Sequence, residues 1–185
     1  MSSRWVVCSP LVDGSYPRLV REAGKLYTVF VRRARCGRCG VGESLLPDFV
    51  LARPRDTTAA VGAAVLAPAG VGLPEGSASL YQGVPERTVR SWRQRFSERA
   101  EALSVLFEAL AAERGASPPA HGAEPPARQA MVAIGRFWQA VRRRAAEVPP
   151  AWALANAVVG GSLLARRVDL PTPGTPHVIC RSRAP

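Results

Sequence analysis

A long series of apolar residues at helical spacing begins just after Pro85 and predicts the longest helix of the chain. Apolar side chains three or four residues apart share one face of an α-helix, whereas a strand would repeat them every second residue. The members of the series are Val89, Trp92, Phe96, Leu103, Leu106, Phe107 and Leu110. The spacing predicts one helix from residue 85 or 86 to about residue 114.

The residues around the start of this helix have the pattern of a helix-turn-helix. The motif needs a small residue where its two helices cross, and Ser79 supplies one. Four residues later a glycine must turn the chain at left-handed backbone angles, and Gly83 is in that place. Apolar contacts between the helices are expected from Val84, Val89 and Trp92. We therefore predict a motif over about residues 75–96, with a first helix near 75–81 and Pro85 tolerated in the first turn of the second.

The helical phase assigns the outward side chains of the second helix. With Val89 and Trp92 turned inward, the side facing a DNA groove presents Glu86, Arg87, Arg90, Ser91 and Gln94. Arginine pairs with guanine O6 and N7, and glutamine pairs with adenine. Phosphate contacts are expected from Arg93, Arg95 and Arg99. The alternative is an ordinary helical hairpin with a solvated arginine face. Gln82 favours this alternative, because a helix-turn-helix usually has an apolar residue at that position.

The charge of the chain agrees with a polyanionic partner. Its 25 basic and 14 acidic residues give a formal net charge of +11, and Lys25 is the only lysine. The arginine fork hydrogen-bonds phosphate oxygens and guanine edges in a fixed plane. A basic excess of this size points to nucleic acid, although a GC-rich coding sequence that prefers arginine codons would give the same composition.

Composition divides the chain into successive regions and predicts an α+β fold. Residues 5–7 and 26–31 are strand-like runs bounded by glycine and proline. Residues 56–58 can cap a helix that continues to residue 67 and is ended by Pro68. The predicted regions are a β-subdomain (1–55), a helix-turn-helix domain (56–114), a linker (115–126), a C-terminal helix pair (127–167) and a proline-rich tail (168–185).

The C-terminal helix pair is amphipathic. Residues 127–148 place apolar residues on one face: Met131, Ile134, Phe137, Trp138 and Val141. Residues 151–167 predict a last helix, whose apolar part, 151–165, is shorter than the ~20 residues that span a bilayer. We therefore predict no membrane association. Gly160 and Gly161 would let another helix approach closely.

These apolar faces exceed what a three-helix DNA-binding core requires. They can bury one another within a monomer, or they can pair two copies of the chain. Specific helix-turn-helix proteins commonly bind two half-sites as dimers. We therefore predict a homodimer through these helices, with the linker 115–126 allowing the DNA-binding region to move relative to it.

Three cysteines near the N-terminus raise the question of zinc. Cys36 and Cys39 have CxxC spacing, and the neighbouring glycines can turn backbone amides toward sulfur. A structural zinc site needs four ligands, usually two such pairs, but Cys8 has no second cysteine at that spacing. Zinc held by Cys8, Cys36, Cys39 and a fourth ligand is one interpretation. A zinc ribbon that has lost its metal is the other.

Three segments taken together carry a family resemblance. They are residues 31–39 (VRRARCGRC), 45–51 (LLPDFVL) and 83–92 (GVPERTVRSW). Over about residues 5–110 the chain resembles a family of small uncharacterised proteins with a domain of unknown function. That family is similar to the zinc-ribbon and helix-turn-helix front end of insertion-sequence transposases. The resemblance implies DNA binding and supplies no catalytic residues. Family members usually have two CxxC pairs. This chain has Cys8, Cys36 and Cys39 and lacks the fourth cysteine of such a set.

The function predicted from the sequence is sequence-specific binding of double-stranded DNA without enzymatic activity or a small-molecule substrate. Transposases cut DNA with three carboxylates around paired metal ions, and the acidic residues after residue 113 are only Glu124, Glu147 and Asp169. A regulator or a transposase-derived protein without a catalytic core fits this pattern. Residues 1–10 contain no apolar run of signal-peptide length, which predicts a cytoplasmic, nucleoid-associated protein. The alternative is a protein-interaction module that docks a partner through its C-terminal helices, with an incidental basic face.

Overall fold

A computed structural model describes residues 10–37, 40, 42–52, 54–69, 75–117 and 124–165. Within these ranges a three-stranded antiparallel sheet precedes four α-helices, which confirms the α+β class. The strands are β1 (Pro10–Glu22), β2 (Lys25–Cys36) and β3 (Gly42–Leu45), paired in that order. The helices are α1 (Thr58–Leu66), α2 (Glu86–Glu113), α3 (Pro126–Arg142) and α4 (Ala151–Val158). Short 3₁₀ helices occupy Ala67–Ala69 and Ser77–Tyr81.

β1 and β2 form a long hairpin closed by two residues. Ala23 and Gly24 both have positive φ, +48° and +75°, as the central residues of a type I′ turn require. The ladder extends from this turn to the pair Pro10 and Cys36, with a bulge between Val12 and Ser15. The strand predicted at residues 26–31 is confirmed within β2. The run at residues 5–7 lies outside the described residues.

The two faces of the hairpin have different environments. Side chains alternate between the faces of a strand, and Val20 and Val31 on one face are buried against the rest of the chain. On the other face Phe30 is 68% exposed. Its exposed apolar neighbours on that face are Val12, Leu19, Leu26 and Leu45. We call these five residues the exposed sheet face.

The predicted cap of α1 is confirmed. Thr57 is the N-cap residue, and its hydroxyl accepts a hydrogen bond from the Ala60 amide at 3.2 Å. The residues of this helix are small and mostly apolar, and seven of the nine are buried, with α2 and α4 among the elements that it contacts. At Gly62 it meets the Trp152 ring so closely that a Cβ there would lie 2.7 Å from the indole. α1 therefore packs closely against α4.

The long helix α2 shares one hydrophobic core with the C-terminal helices. The Phe107 and Phe137 rings lie 5.5 Å apart where α3 packs along α2, and Phe96 lies 5.3 Å from Trp152 of α4. Arg136 of α3 also pairs with Glu108 of α2. The apolar faces that predicted a homodimer therefore cover each other within one chain, as in the monomer alternative, and a homodimer would need a different surface.

The C-terminal helices end earlier than predicted. α3 stops at Arg142 rather than near residue 148, and α4 stops at Val158 rather than at residue 167. Gly160 and Gly161 have φ of +59° and +78°, and this left-handed pair ends α4 instead of admitting another helix. After the turn the chain folds back, and Ala52 donates to the Gly161 carbonyl at 2.9 Å.

A buried asparagine fastens α4 to the loop after β3. Asn156 is 1% exposed, and its Nδ2 donates to the carbonyls of Val50 and Asp48 at 3.1 and 3.3 Å. Of the predicted linker and tail, residues 118–123 and 168–185 lie outside the described residues. In the described part of the chain no helix combines the length and apolarity needed to cross a membrane.

Candidate nucleic-acid interface

The segment predicted as a helix-turn-helix consists of a short 3₁₀ helix, a turn and the start of α2. Its first helix, Ser77–Tyr81, is shorter than the predicted 75–81 and is 3₁₀ rather than α-helical. Gly83 has φ +74°, so the left-handed turn predicted there is confirmed. Pro85 precedes the first residue of α2, and its carbonyl accepts from the Thr88 and Val89 amides at 2.8 and 3.2 Å.

The small residue of the first helix is not the one predicted. Ser79 is exposed, and its hydroxyl donates to the Gly76 carbonyl at 2.7 Å. Ser77 is the buried residue instead. The tighter 3₁₀ turn accounts for the difference, because three residues per turn shift which side chain points inward.

The phase predicted for α2 is confirmed. Val89, Trp92 and Phe96 are all buried, and Trp92 is only 3% exposed. On the opposite side Glu86, Arg87, Arg90 and Gln94 are exposed, while Ser91 is half-buried. The exposed face of α2 is therefore polar and basic over its first turns.

The exposed polar residues interact along the helix. Arg90 forms an ion pair with Glu86 at 2.7 Å, and Gln94 donates to Glu98 at 2.9 Å. Exposed pairs of this kind stabilise a helix by only about 0.3–0.5 kcal/mol. A polyanionic partner could replace them at little cost in free energy.

The three arginines predicted to bind phosphates lie at the edges of the buried face, and all are half-buried. Arg93 Nε donates to the Ala64 carbonyl at 2.9 Å. In a continuous α-helix that carbonyl would accept from residue 68, which is a proline without an N–H, so Arg93 completes the end of α1. Arg99 Nη1 donates to the Ala165 carbonyl at 2.7 Å, and burial lowers the pKa of its guanidinium. Arg95 lies on the same flank as Arg99.

The exposed face of α2 changes sign along its length. Arg87 and Arg90 are followed on the same side by the exposed carboxylates of Glu98 and Glu101. Positive charge on this face is thus concentrated in the first two turns. A polyanion would be attracted to the N-terminal part of α2 and repelled farther along it.

The cysteine cluster is described only at Cys36. This residue is buried at the end of β2, and its carbonyl accepts from the Gly40 amide at 2.9 Å. Cys8 and Cys39 lie outside the described residues, so zinc binding stays a prediction that elemental analysis of the purified protein can test. Among the described residues no group of three or more His, Cys, Asp or Glu side chains is placed to hold a metal ion.

Comparison with known proteins gives no relative for this chain. No protein-family model matches it, and no curated protein or solved structure matches it either. The resemblance to the front end of transposases therefore stays a prediction. The candidate interface is defined by the exposure, charge and packing of its own residues.

Proposed function

We propose that this protein binds double-stranded DNA, with the first three turns of α2 in the major groove, as a regulator or a transposase-derived protein without a catalytic core. The observation that carries the proposal is the division of one helix into a buried apolar side and an exposed side with Arg87, Arg90 and Gln94. Because the buried side is fixed in the core, the exposed side chains have a constant spacing. The major groove is wide enough to admit such a helix.

The spacing of these side chains sets the size of the site. Arg87 and Gln94 are seven residues apart, which is about 10 Å along the helix axis. Base pairs are stacked about 3.4 Å apart in the duplex. The two side chains therefore span at most about three base-pair steps, with Arg90 between them.

The acidic second half of the exposed face limits how the helix can approach DNA. Glu98 and Glu101 would lie close to phosphates if the whole helix followed the groove. An entry by the N-terminal end of α2 avoids this repulsion. It also directs the positive end of the helix dipole toward the duplex. We infer that Arg93 and Arg99, which bind carbonyls of the chain itself, support the helix rather than contact phosphates.

The experiment is selection of bound duplexes from a random pool at two salt concentrations. The proposal predicts enrichment of a core of about three or four base pairs, together with weaker binding at higher salt because phosphate neutralisation releases counterions. Arg128→Ala serves as the control, since Arg128 is an exposed arginine on α3 and does not belong to the exposed face of α2. An unenriched pool for the parent protein would contradict the proposal.

Protein docking is a second proposed activity, one that accompanies DNA binding, and the exposed sheet face favours it. The predicted alternative placed a partner on the C-terminal helices, but their apolar faces are largely covered by α2. The sheet leaves Phe30, Leu26 and Leu19 open instead. We propose a second copy of this chain as the occupant, because a dimer would supply two copies of α2 for two half-sites.

Light scattering tests the dimer. The parent protein is expected to have a dimer mass at tens of micromolar, and Phe30→Asp is expected to have a monomer mass. Val105→Asp is the matched control, because Val105 is equally exposed but lies on α2. A monomer mass for the parent, with and without DNA, would rule out the dimer.

A further inference from the structure

The tip of the β1–β2 hairpin rests against the turn that leads into α2. The Ala23 amide donates to the Leu80 carbonyl at 2.9 Å, and Arg21 Nη1 donates to the Gly83 carbonyl at 3.2 Å. Gly24 and Gly83 lie close together, since a Cβ added to Gly83 would come within 3.9 Å of the Gly24 Cα. The hairpin tip and the turn therefore form one continuous surface.

The base of the tip is anchored to the start of α1. Arg21 Nε forms an ion pair of 2.7 Å with Asp56, whose carboxylate is almost fully buried. The Thr57 amide donates to the Arg21 carbonyl at 3.2 Å, and the Thr57 hydroxyl donates to Glu22 at 2.8 Å. These bonds join both the tip and its base to the helical part and hold the hairpin against the turn before α2.

This anchoring places a further positive charge beside the candidate interface. Lys25 is exposed and follows Gly24 directly, while α2 begins three residues after Gly83. Its cross-strand neighbour Glu22 accepts from the Thr57 hydroxyl, and the exposed position of Lys25 leaves its amine accessible to solvent. A lysine amine on a flexible stem suits a phosphate, which needs charge rather than a fixed donor pattern.

We propose that the hairpin tip is a second DNA contact, in which Lys25 binds a backbone phosphate next to the groove that α2 enters. This inference rests on the proposed binding of DNA by α2. A duplex that receives the N-terminal end of α2 passes beside the tip, because the tip touches the turn at that end. Phosphate contacts position a protein without reading sequence, so Lys25 strengthens binding to every duplex alike.

The test compares salt titrations of the parent, Lys25→Ala and Arg33→Ala on one selected duplex. Arg33 is the matched control because it is exposed on the same strand, about 26 Å from Lys25 along β2. Loss of one phosphate contact is expected to reduce the slope of log K against log salt by about 0.9 in Lys25→Ala. Arg33→Ala is expected to keep the slope of the parent. Lys25→Arg, which retains the positive charge, is also expected to have the parent slope. Thermal melting checks that all variants fold.

The possible failures are distinguishable. If Lys25→Ala keeps the parent slope while Arg87→Ala loses its base preference, the hairpin contact is overturned and the function of α2 stands. Equal losses in Lys25→Ala and Arg33→Ala would show diffuse attraction by the whole hairpin and would also overturn the contact. A parent protein that binds no duplex at any salt concentration overturns both proposals.

Discussion

The buried and exposed sides of α2 both contain arginine, yet these arginines have different surroundings. Arg93 and Arg99, at the edges of the buried side, donate to carbonyls of α1 and of the chain after α4. Arg87 and Arg90, on the exposed side, are directed to solvent, where Arg90 has only the exposed Glu86 as its ion-pair partner. The role of each arginine therefore depends on which carbonyls lie within reach. A DNA contact by the exposed pair would therefore disturb no bond to a carbonyl of the core, whereas a contact by Arg93 or Arg99 would.

The largest expected effect is on the buried side. Trp92→Ala removes the indole from between α2 and its neighbours and should lower the free energy of unfolding by about 3–5 kcal/mol. Val105→Ala is the control on the same helix, because Val105 is 67% exposed, and it should change stability by less than about 0.5 kcal/mol. Chemical denaturation measures both. Similar losses in the two variants would mean that the two sides of α2 are not distinct.

A smaller effect on stability is expected from the edge of the buried side. Arg93→Ala leaves the Ala64 carbonyl at the end of α1 without its donor, which should cost about 1–3 kcal/mol. Arg90→Ala removes only an exposed ion pair and should cost less than about 1 kcal/mol. The denaturation midpoints of the two variants sharpen the comparison. If Arg90→Ala were the more destabilising, the structural role would belong to the exposed side instead.

Much of the helical fold could be predicted because its signals are local. The apolar spacing and Pro85 located α2 to within a residue, and the Thr57 cap located α1. The last helix was predicted too long because a glycine pair is compatible with both close helix packing and a left-handed turn. The bounds of the first motif helix were close, but its 3₁₀ geometry moved the buried position from Ser79 to Ser77.

The candidate site was predictable where it depends on helical phase alone. The exposure of Glu86, Arg87, Arg90 and Gln94 follows from burying Val89 and Trp92. The partners of Arg93 and Arg99 lie 29 and 66 residues away in sequence, and no local pattern reveals such contacts. The sequence does not predict the contact between the hairpin tip and the turn for the same reason. The hairpin precedes α1 in the chain, whereas Leu80 and Gly83, which bond to it, follow α1.

The most direct measurement of the central claim is the affinity of Arg87→Ala and Arg90→Ala for the selected duplex and for its single-base variants. Each substitution should remove about 1–3 kcal/mol of discrimination at one base pair and lower the free energy of unfolding by less than about 1 kcal/mol. Arg128→Ala should bind all the duplexes as the parent does. If Arg87→Ala and Arg90→Ala discriminate among the duplexes as well as the parent does, the exposed side of α2 is not the surface that reads DNA.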